Sequence, residues 1–438
     1  MRLAYFSPLP PTPSGISDYS AELLPFLARE ADVEVFADVS GELVPNLPVR
    51  PFQSFFSSAS EFDFAIYQMG NSPAHASIYE ASQRFPGVLV LHDIVLHHLF
   101  AWLTLERGDR RGYIELMRGV YGDAGGELAR AEIERRGRVD RFSLPLSEPL
   151  IRAARAVIVH SEFAARFVES AAPGKPVAVV PMGVTLPERI ERGQARARLN
   201  LSGEVFIAGV FGEITLHKRI AIVLAAFREF YARHPEALLL LVGNVSPNLH
   251  VQALIKTFGI ADAVRVTGFA PHEMYENYIA ACDVCINLRF PTAGETSASV
   301  LRMLAAARPV IVTRADAYTE LPDVACVKIE PDEFEQEALV AHLDWFAAHP
   351  ELTRAMGEHG RQFVATQHTL QGAARDYIEF LESVGTWKGR KKTDRKVEIA
   401  SQGETDPKSQ GTSLNIQPLI PNVQSPVPNP ESAGSPGR

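Results

Sequence analysis

Glu295-Thr296-Ser297 stands at the head of a helix-like run and is followed, after Arg308-Pro309, by a β-branched strand. Backbone N–H groups at a helix start have no partner within the helix and favour an anion. A carboxylate beside them is suited to gripping hydroxyls. Pyrophosphate on the helix end with sugar on the acid is the chemistry of a nucleotide-sugar site. The plainer alternative is an ordinary helix start capped by Thr296 or Ser297.

Other strand ends carry residues of matching chemistry. After the first strand, Pro8 to Asp18 contains Gly15, which permits close backbone approach, and a helix start near Ser17 suited to a phosphate or sugar hydroxyl. A stiff turn capped by Ser17 is the alternative. After the strand at Val88 come His92 and Asp93; the imidazole can bond a substrate hydroxyl and Asp93 can orient it. His97 and His98 follow, but without a third metal ligand at recognised spacing. After the strand at Val205, the segment Gly212-Glu213-Ile214-Thr215-Leu216-His217-Lys218-Arg219 ends in adjacent cations able to neutralise a leaving diphosphate. A solvated helix start explains the same pair of charges. Gly243-Asn244 and Gly268-Phe269 form short turns where a base can stack or meet backbone groups.

These turns need strands and helices to hold them. Eleven short apolar runs, from Arg2–Phe6 to Val310–Thr313, alternate with segments of helical spacing. The alternation predicts parallel sheets with helices on both faces, passing through the chain twice. We expect one α/β domain over 1–190, with a charged helical insertion at about 100–140 broken by Gly125-Gly126. A second is expected over 200–366, then an amphipathic helix over 367–385.

The chain has 438 residues, 46% of them apolar, enough for two full cores and a tail. A formal charge of −9 argues against a general nucleic-acid binder. Three cysteines give no disulfide framework, and Cys282-x-x-Cys285 lies in an apolar stretch where core packing is the expectation. The sequence shows no secretory signal and no apolar run of about 20 residues, so a cytoplasmic protein is expected. Residues 386–438 read as a disordered tail. Its run Lys388–Lys396 holds six basic residues and one acid, a candidate for peripheral contact with anionic lipid heads at the inner membrane face.

The ordered set of motifs resembles the retaining GT-B glycosyltransferases of family 4 type. Strand-Gly-x5-Lys, strand-Val-Gly, strand-Gly-Phe, then Ala-Cys-Asp-Val and Gly-Glu-Thr-Ser are similar to that family's second domain. Pro-x-x-Ser-Gly-Ile-x-Asp-Tyr-Ser, His92-Asp93, Val157 to Ser161 and Val180 to Val184 are similar to its first. The likeness covers about residues 1–385. It implies a GT-B architecture of two Rossmann-like domains facing a central cleft, 1–190 binding the acceptor and 200–366 the nucleotide sugar, with the helix over 367–385 crossing back to the first. It also implies transfer, with retention, from a nucleoside-diphosphate sugar to a saccharide or lipid-linked glycan. Lys218 would contact the diphosphate, Gly268-Phe269 the base, the helix at Thr296-Ser297 the phosphates, Gly15 the phosphates or sugar, and His92 the sugar. Gly212, Glu213, Arg219, Asn244 and Arg302 belong to the same donor side by position, Asp18 and Asp93 to the acceptor side. No Asp-x-Asp motif is present, so no metal or other cofactor is expected.

The sequence departs from the family where Glu213 replaces an arginine and where the paired glutamates, eight positions apart, fall at Gly294 and Arg302. Glu295 takes the first role from one residue away. A Glu213–Arg302 pair would restore one acid and one base in exchanged positions. Two other readings stay open: a non-catalytic nucleotide-sugar-binding partner in glycan assembly, separated by turnover, and a sugar-phosphate enzyme of related architecture, an epimerase, which needs no acceptor, or a phosphorylase, which uses inorganic phosphate.

Overall fold

The computed structural model describes residues 1–38, 41–44 and 47–385. The expected tail, 386–438, and its basic run Lys388–Lys396 lie outside the described residues.

The chain has two sheets. The first contains β1 (Arg2–Phe6), β2 (Asp32–Ala37), β3 (Gly41–Val44), β4 (Leu47–Pro51), β5 (Phe64–Met69), β6 (Val88–Leu91), β7 (Ala156–Val159) and β8 (Val177–Val179). Its order is β3-β4-β2-β1-β5-β6-β7-β8, parallel except for the β3–β4 pair. The second contains β9 (Ile207–Phe211), β10 (Leu238–Val242), β11 (Val264–Gly268), β12 (Val284–Asn287), β13 (Val310–Thr313) and β14 (Cys326–Ile329), all parallel, in the order β11-β10-β9-β12-β13-β14. Central strands are covered on both faces, which is why they read as unbroken apolar runs: β7 and β12 are buried at every position.

Both sheets reverse their winding beside their first strand, between β1 and β5 and between β9 and β12. Loops leaving the carboxyl ends of those strands splay apart and leave a crevice. Residues 7–14 and 70–72 leave the first crevice, and 212–215 and 288–297 the second.

One hydrophobic core runs through both halves, from Leu3 and Tyr5 through Met182 and Val184 to Leu240, Val300 and Leu301. The helix Leu370–Val384 joins it through Tyr377 and Leu381 and packs on the helix Gly15–Glu30. Gly183 lets the chain pass close, since a Cβ there would lie 2.7 Å from the Leu370 Cα. The three cysteines are buried free thiols, and a Cβ on Gly209 would meet the Cys282 sulfur at 2.6 Å. They pack the core.

The helical excursion differs from expectation in one detail. Its long segment Arg110–Ile133 is broken at Tyr121–Gly122, where Gly122 has φ +68°, and not at Gly125-Gly126. Those two glycines are buried and helical. A Cβ on Gly125 would sit 2.4 Å from the Met117 carbonyl, so the pair allows the two halves of the segment to close on each other. Among the described residues no helix is long and apolar enough to cross a membrane.

Candidate active site

Three loops of the second sheet meet at its crevice. Gly212 follows β9 with φ +81°, a left-handed conformation that favours glycine. Gly243 follows β10, and a Cβ on it would lie 2.2 Å from the Gly212 carbonyl oxygen. The two turns are joined by Ile214 N–H donating to Asn244 O at 2.8 Å and Ser246 N–H donating to Ile214 O at 2.9 Å. Asn244 is exposed beside this seam, and Phe269, after Gly268, is 73% exposed.

Lys218 is 2% exposed and donates to the Phe211 carbonyl. A Cβ on Gly212 would be 3.1 Å from its Nζ and 3.2 Å from the Ser299 Oγ, so the amine sits at the start of the helix Ala298–Ala305. Burial pushes the Lys218 amine down to about 7, the Arg289 charge pushes the same way, and Glu213 and Glu295 oppose them. Ser297 caps that helix, accepting from Val300 N at 3.4 Å. Thr296 instead donates across the cleft to the His160 carbonyl at 3.3 Å.

Glu295 is 8% exposed and held on three sides. Its carboxylate pairs with Arg289, accepts from Ala293 N at 2.8 Å, and lies 3.4 Å from the Tyr318 hydroxyl. Burial opposes the Arg289 charge, but Glu295, with Tyr318 and Asp93 adding, outweighs it and raises the guanidinium's pKa. The same loop docks onto the first half: Ile94 and Val95 N–H donate to the Ala293 carbonyl at 2.8 and 3.0 Å. Gly294, φ +74°, packs so tightly there that a Cβ would meet Ile94 at 2.6 Å.

This contact brings His92 and Asp93 opposite Glu295. Burial, then the Glu295 charge, pushes the Asp93 carboxyl up to about 7, against Arg289 and an N–H from Asn71 at 2.8 Å. Asp93 does not orient His92. The His92 Nε2–H donates to Gln68 Oε1 at 2.6 Å, because Gln68 lies on the neighbouring strand while the Asp93 carboxylate takes the Asn71 amide. On the first sheet's side, Ser14 rather than Ser17 caps the helix Gly15–Glu30, accepting from Ile16 N at 3.3 Å. Around a Cβ built on Gly15 there is open space within 4 Å. Asp18 lies one turn along that helix. Burial raises its pKa, Arg302 and His272 lower it, and Glu22 raises it.

Two sequence-based placements are corrected. Arg302 does not pair with Glu213; it reaches across the cleft to Glu22, whose other oxygen accepts from the Thr185 hydroxyl at 3.0 Å. Glu213 stays exposed and acts on Lys218. Arg219 does not replace charge at the phosphate loop. Its backbone is left-handed, φ 55°, and its Nε donates to buried Glu335 at 2.8 Å. Arg289, Gln68 and Glu22 are the site residues that sequence reasoning missed. Gln68 had one visible signal, a polar residue inside the apolar run Phe64–Met69.

The chemistry this geometry offers is anion-binding on the second half, with Lys218, Arg289 and the start of the helix Ala298–Ala305, and hydroxyl-binding across the cleft. Residues 191–363 match the family model described as glycosyl transferases group 1. Among solved structures, sucrose-phosphate synthase from Thermosynechococcus elongatus is similar at 17% identity and a TM-score of 0.65, covering 88% of this chain and 99% of that one. Anabaena HepE in complex with UDP is similar at 17% identity and 0.63, covering 87% and 100%. WaaG, a glycosyltransferase involved in lipopolysaccharide biosynthesis, is similar at 16% and 0.58, covering 86% and 99%. Comparison with curated proteins gave no match. The fold is GT-B, and within it residues 191–363 are similar to the glycosyl transferases group 1.

Proposed function

We propose that the chain is a retaining hexosyltransferase that moves a sugar from a nucleoside diphosphate to a saccharide or lipid-linked glycan. The observation that carries the reading is the docking of the 288–297 loop, which sets Lys218, Arg289 and Glu295 of one sheet against His92 and Asp93 of the other. HepE in complex with UDP-glucose, of the same fold, makes UDP the first nucleotide to try.

In this reading the diphosphate lies between Lys218 and the start of the helix Ala298–Ala305, with the base near Gly268-Phe269 and Asn244. An arriving dianion favours the charged form of a lysine that burial has brought to about 7. Charge then develops on the leaving phosphate where fixed donors already point. Glu295, braced by Arg289, holds sugar hydroxyls. His92, neutral because burial holds its pKa well below the ordinary value, accepts from the sugar on the far side. The leaving phosphate oxygen takes the acceptor proton on the same face, so the route calls for no protein base and no metal. Asp93, Asp18 and the first sheet's loops face the acceptor. We place the protein in the cytoplasm, with the Lys388–Lys396 run as a proposed contact to the inner membrane face.

The test is turnover. Wild type should release nucleoside diphosphate from one nucleotide sugar in the presence of a glycan acceptor, and the product's anomeric proton should show the donor's configuration. Lys218→Ala should lower the rate at least 100-fold, on the scale of one lost charge-stabilising donor. An inverted product refutes retention, and an unchanged rate in Lys218→Ala refutes the assignment.

A further inference from the structure

A second group of polar side chains lies beside the proposed site, on the first half. His160 ends the strand β7 region and its ring centroid is 4.8 Å from that of His92; Tyr19 lies 5.4 Å from His92 and 5.7 Å from His160. All three are at least nine-tenths buried. The His160 Nδ1–H donates to the Val180 carbonyl at 2.8 Å, so its Nε2 carries a bare lone pair in the neutral ring. The His92 Nε2–H donates to Gln68, which leaves Nδ1 bare in the same way. Burial keeps both rings neutral, pushing His160 down to about 4. Among the described residues His160 Nε2 and His92 Nδ1 have no hydrogen-bond partner, and the Tyr19 hydroxyl meets that of Tyr377. Buried imidazole nitrogens are seldom left so, and two on neighbouring rings beside a tyrosine hydroxyl mark a place built for a partner that brings its own donors. Two bare imidazole nitrogens cannot satisfy each other. A cation would also suit lone pairs, but among the described residues no group of three His, Cys, Asp or Glu is placed to hold one. The roof of the site belongs to the second half, through Thr296 on the His160 carbonyl and the Ala293 carbonyl on Ile94 and Val95. Opening the cleft would therefore uncover it.

We propose that His160, His92 and Tyr19 form a site for neighbouring hydroxyls of a saccharide, with His160 a substrate-binding residue. Each imidazole accepts from one hydroxyl, and the Tyr19 hydroxyl donates to a sugar oxygen. This rests on the glycosyl-transfer reading and deepens it. The hydroxyls belong either to the donor's sugar or to the acceptor's.

Calorimetric titration of wild type, His160→Ala, His160→Gln and Tyr19→Phe separates these. One arm compares UDP, GDP and ADP with their glucose conjugates; the other titrates methyl α-glucoside with the nucleotide present at saturation. His160→Ala should leave affinity for the bare nucleotide unchanged and weaken one arm about tenfold, the loss of a single substrate hydrogen bond with its partner left unpaired. A loss on the first arm assigns the donor sugar, and a loss on the second the acceptor. His160→Gln, whose amide oxygen accepts, should recover part of the loss. Tyr19→Phe, which keeps the packing, should weaken the same arm several-fold, and it carries the test if His160→Ala does not fold. Wild-type affinities on both arms in a folded His160→Ala and in Tyr19→Phe would mean the three atoms serve internal water only, and would overturn the proposal. Wild type binding the glucoside but no nucleotide would instead overturn the donor reading and leave this site standing.

Discussion

Nucleotide affinity should fall as pH rises through the slightly alkaline range, and Lys218 should be the cause. In the empty site burial and Arg289 hold this amine at about 7. A bound diphosphate adds a close negative charge and raises the pKa, so binding above pH 7 takes up a proton. The sign follows: the free protein must first be protonated, and affinity drops as the protonated fraction drops. That fraction falls about 20-fold between pH 7.5 and pH 9, or ~1.8 kcal/mol of binding free energy. The window avoids two other titrations. A phosphate's second ionisation, near about 6, is complete by then. Asp93, at about 7, is already mostly ionised. Titrating UDP into wild type and Lys218→Met across this range is the assay. Wild type should lose affinity along the predicted slope; Lys218→Met should bind weakly and without that slope. A flat wild-type profile would show that Lys218 does not exchange its proton with the ligand, and the reasoning would fail.

Two further outcomes follow from the loops. Arg219→Met strips the partner from Glu335, whose side chain is 1% exposed; with the arginine side chain 29% exposed, the cost should be about 2 kcal/mol in urea unfolding, below the range for a fully buried pair. Its affinity for nucleotide should stay within about twofold of wild type, since the side chain is turned to Glu335; loss of binding at unchanged stability would return Arg219 to the phosphate loop. Gly243→Ala puts a Cβ 2.2 Å from the Gly212 carbonyl at a φ of +143°, so it should cost about 1–3 kcal/mol of stability and shift the Gly212 turn, weakening nucleotide binding at least tenfold; wild-type values for both would contradict the seam described here.

Much of the architecture was legible because parallel strands covered on both faces must be apolar throughout. All eleven strands read from the sequence are present. The three that escaped are edge or next-to-edge strands. β4 contains Pro48 and ends in Pro51, β3 is four residues beside it, and β14 carries Lys328 on the far edge of the second sheet. Turn residues such as Gly212, Gly243 and Gly294 were readable because each meets a local constraint. Pairings across the cleft were not. Nothing local says that Arg302 meets Glu22, 280 positions away, or that Gln68 rather than Asp93 holds His92. Lys218 and Arg219 look alike as adjacent cations, but the left-handed turn between them sends one to the crevice and the other to Glu335. Arg289 lies six positions before Glu295, yet its role depends on the loop folding Glu295 back onto it.

The central claim is that the crevice between β9 and β12 takes a nucleoside diphosphate through Lys218. Calorimetric binding of UDP, GDP and ADP to wild type and Lys218→Ala tests it most directly. One nucleotide bound by wild type, and bound at least tenfold more weakly by Lys218→Ala, is the predicted result and names the base. A folded wild type that binds none of the three would contradict the account, because the departures at Glu213 and Arg302 would then have removed the donor site.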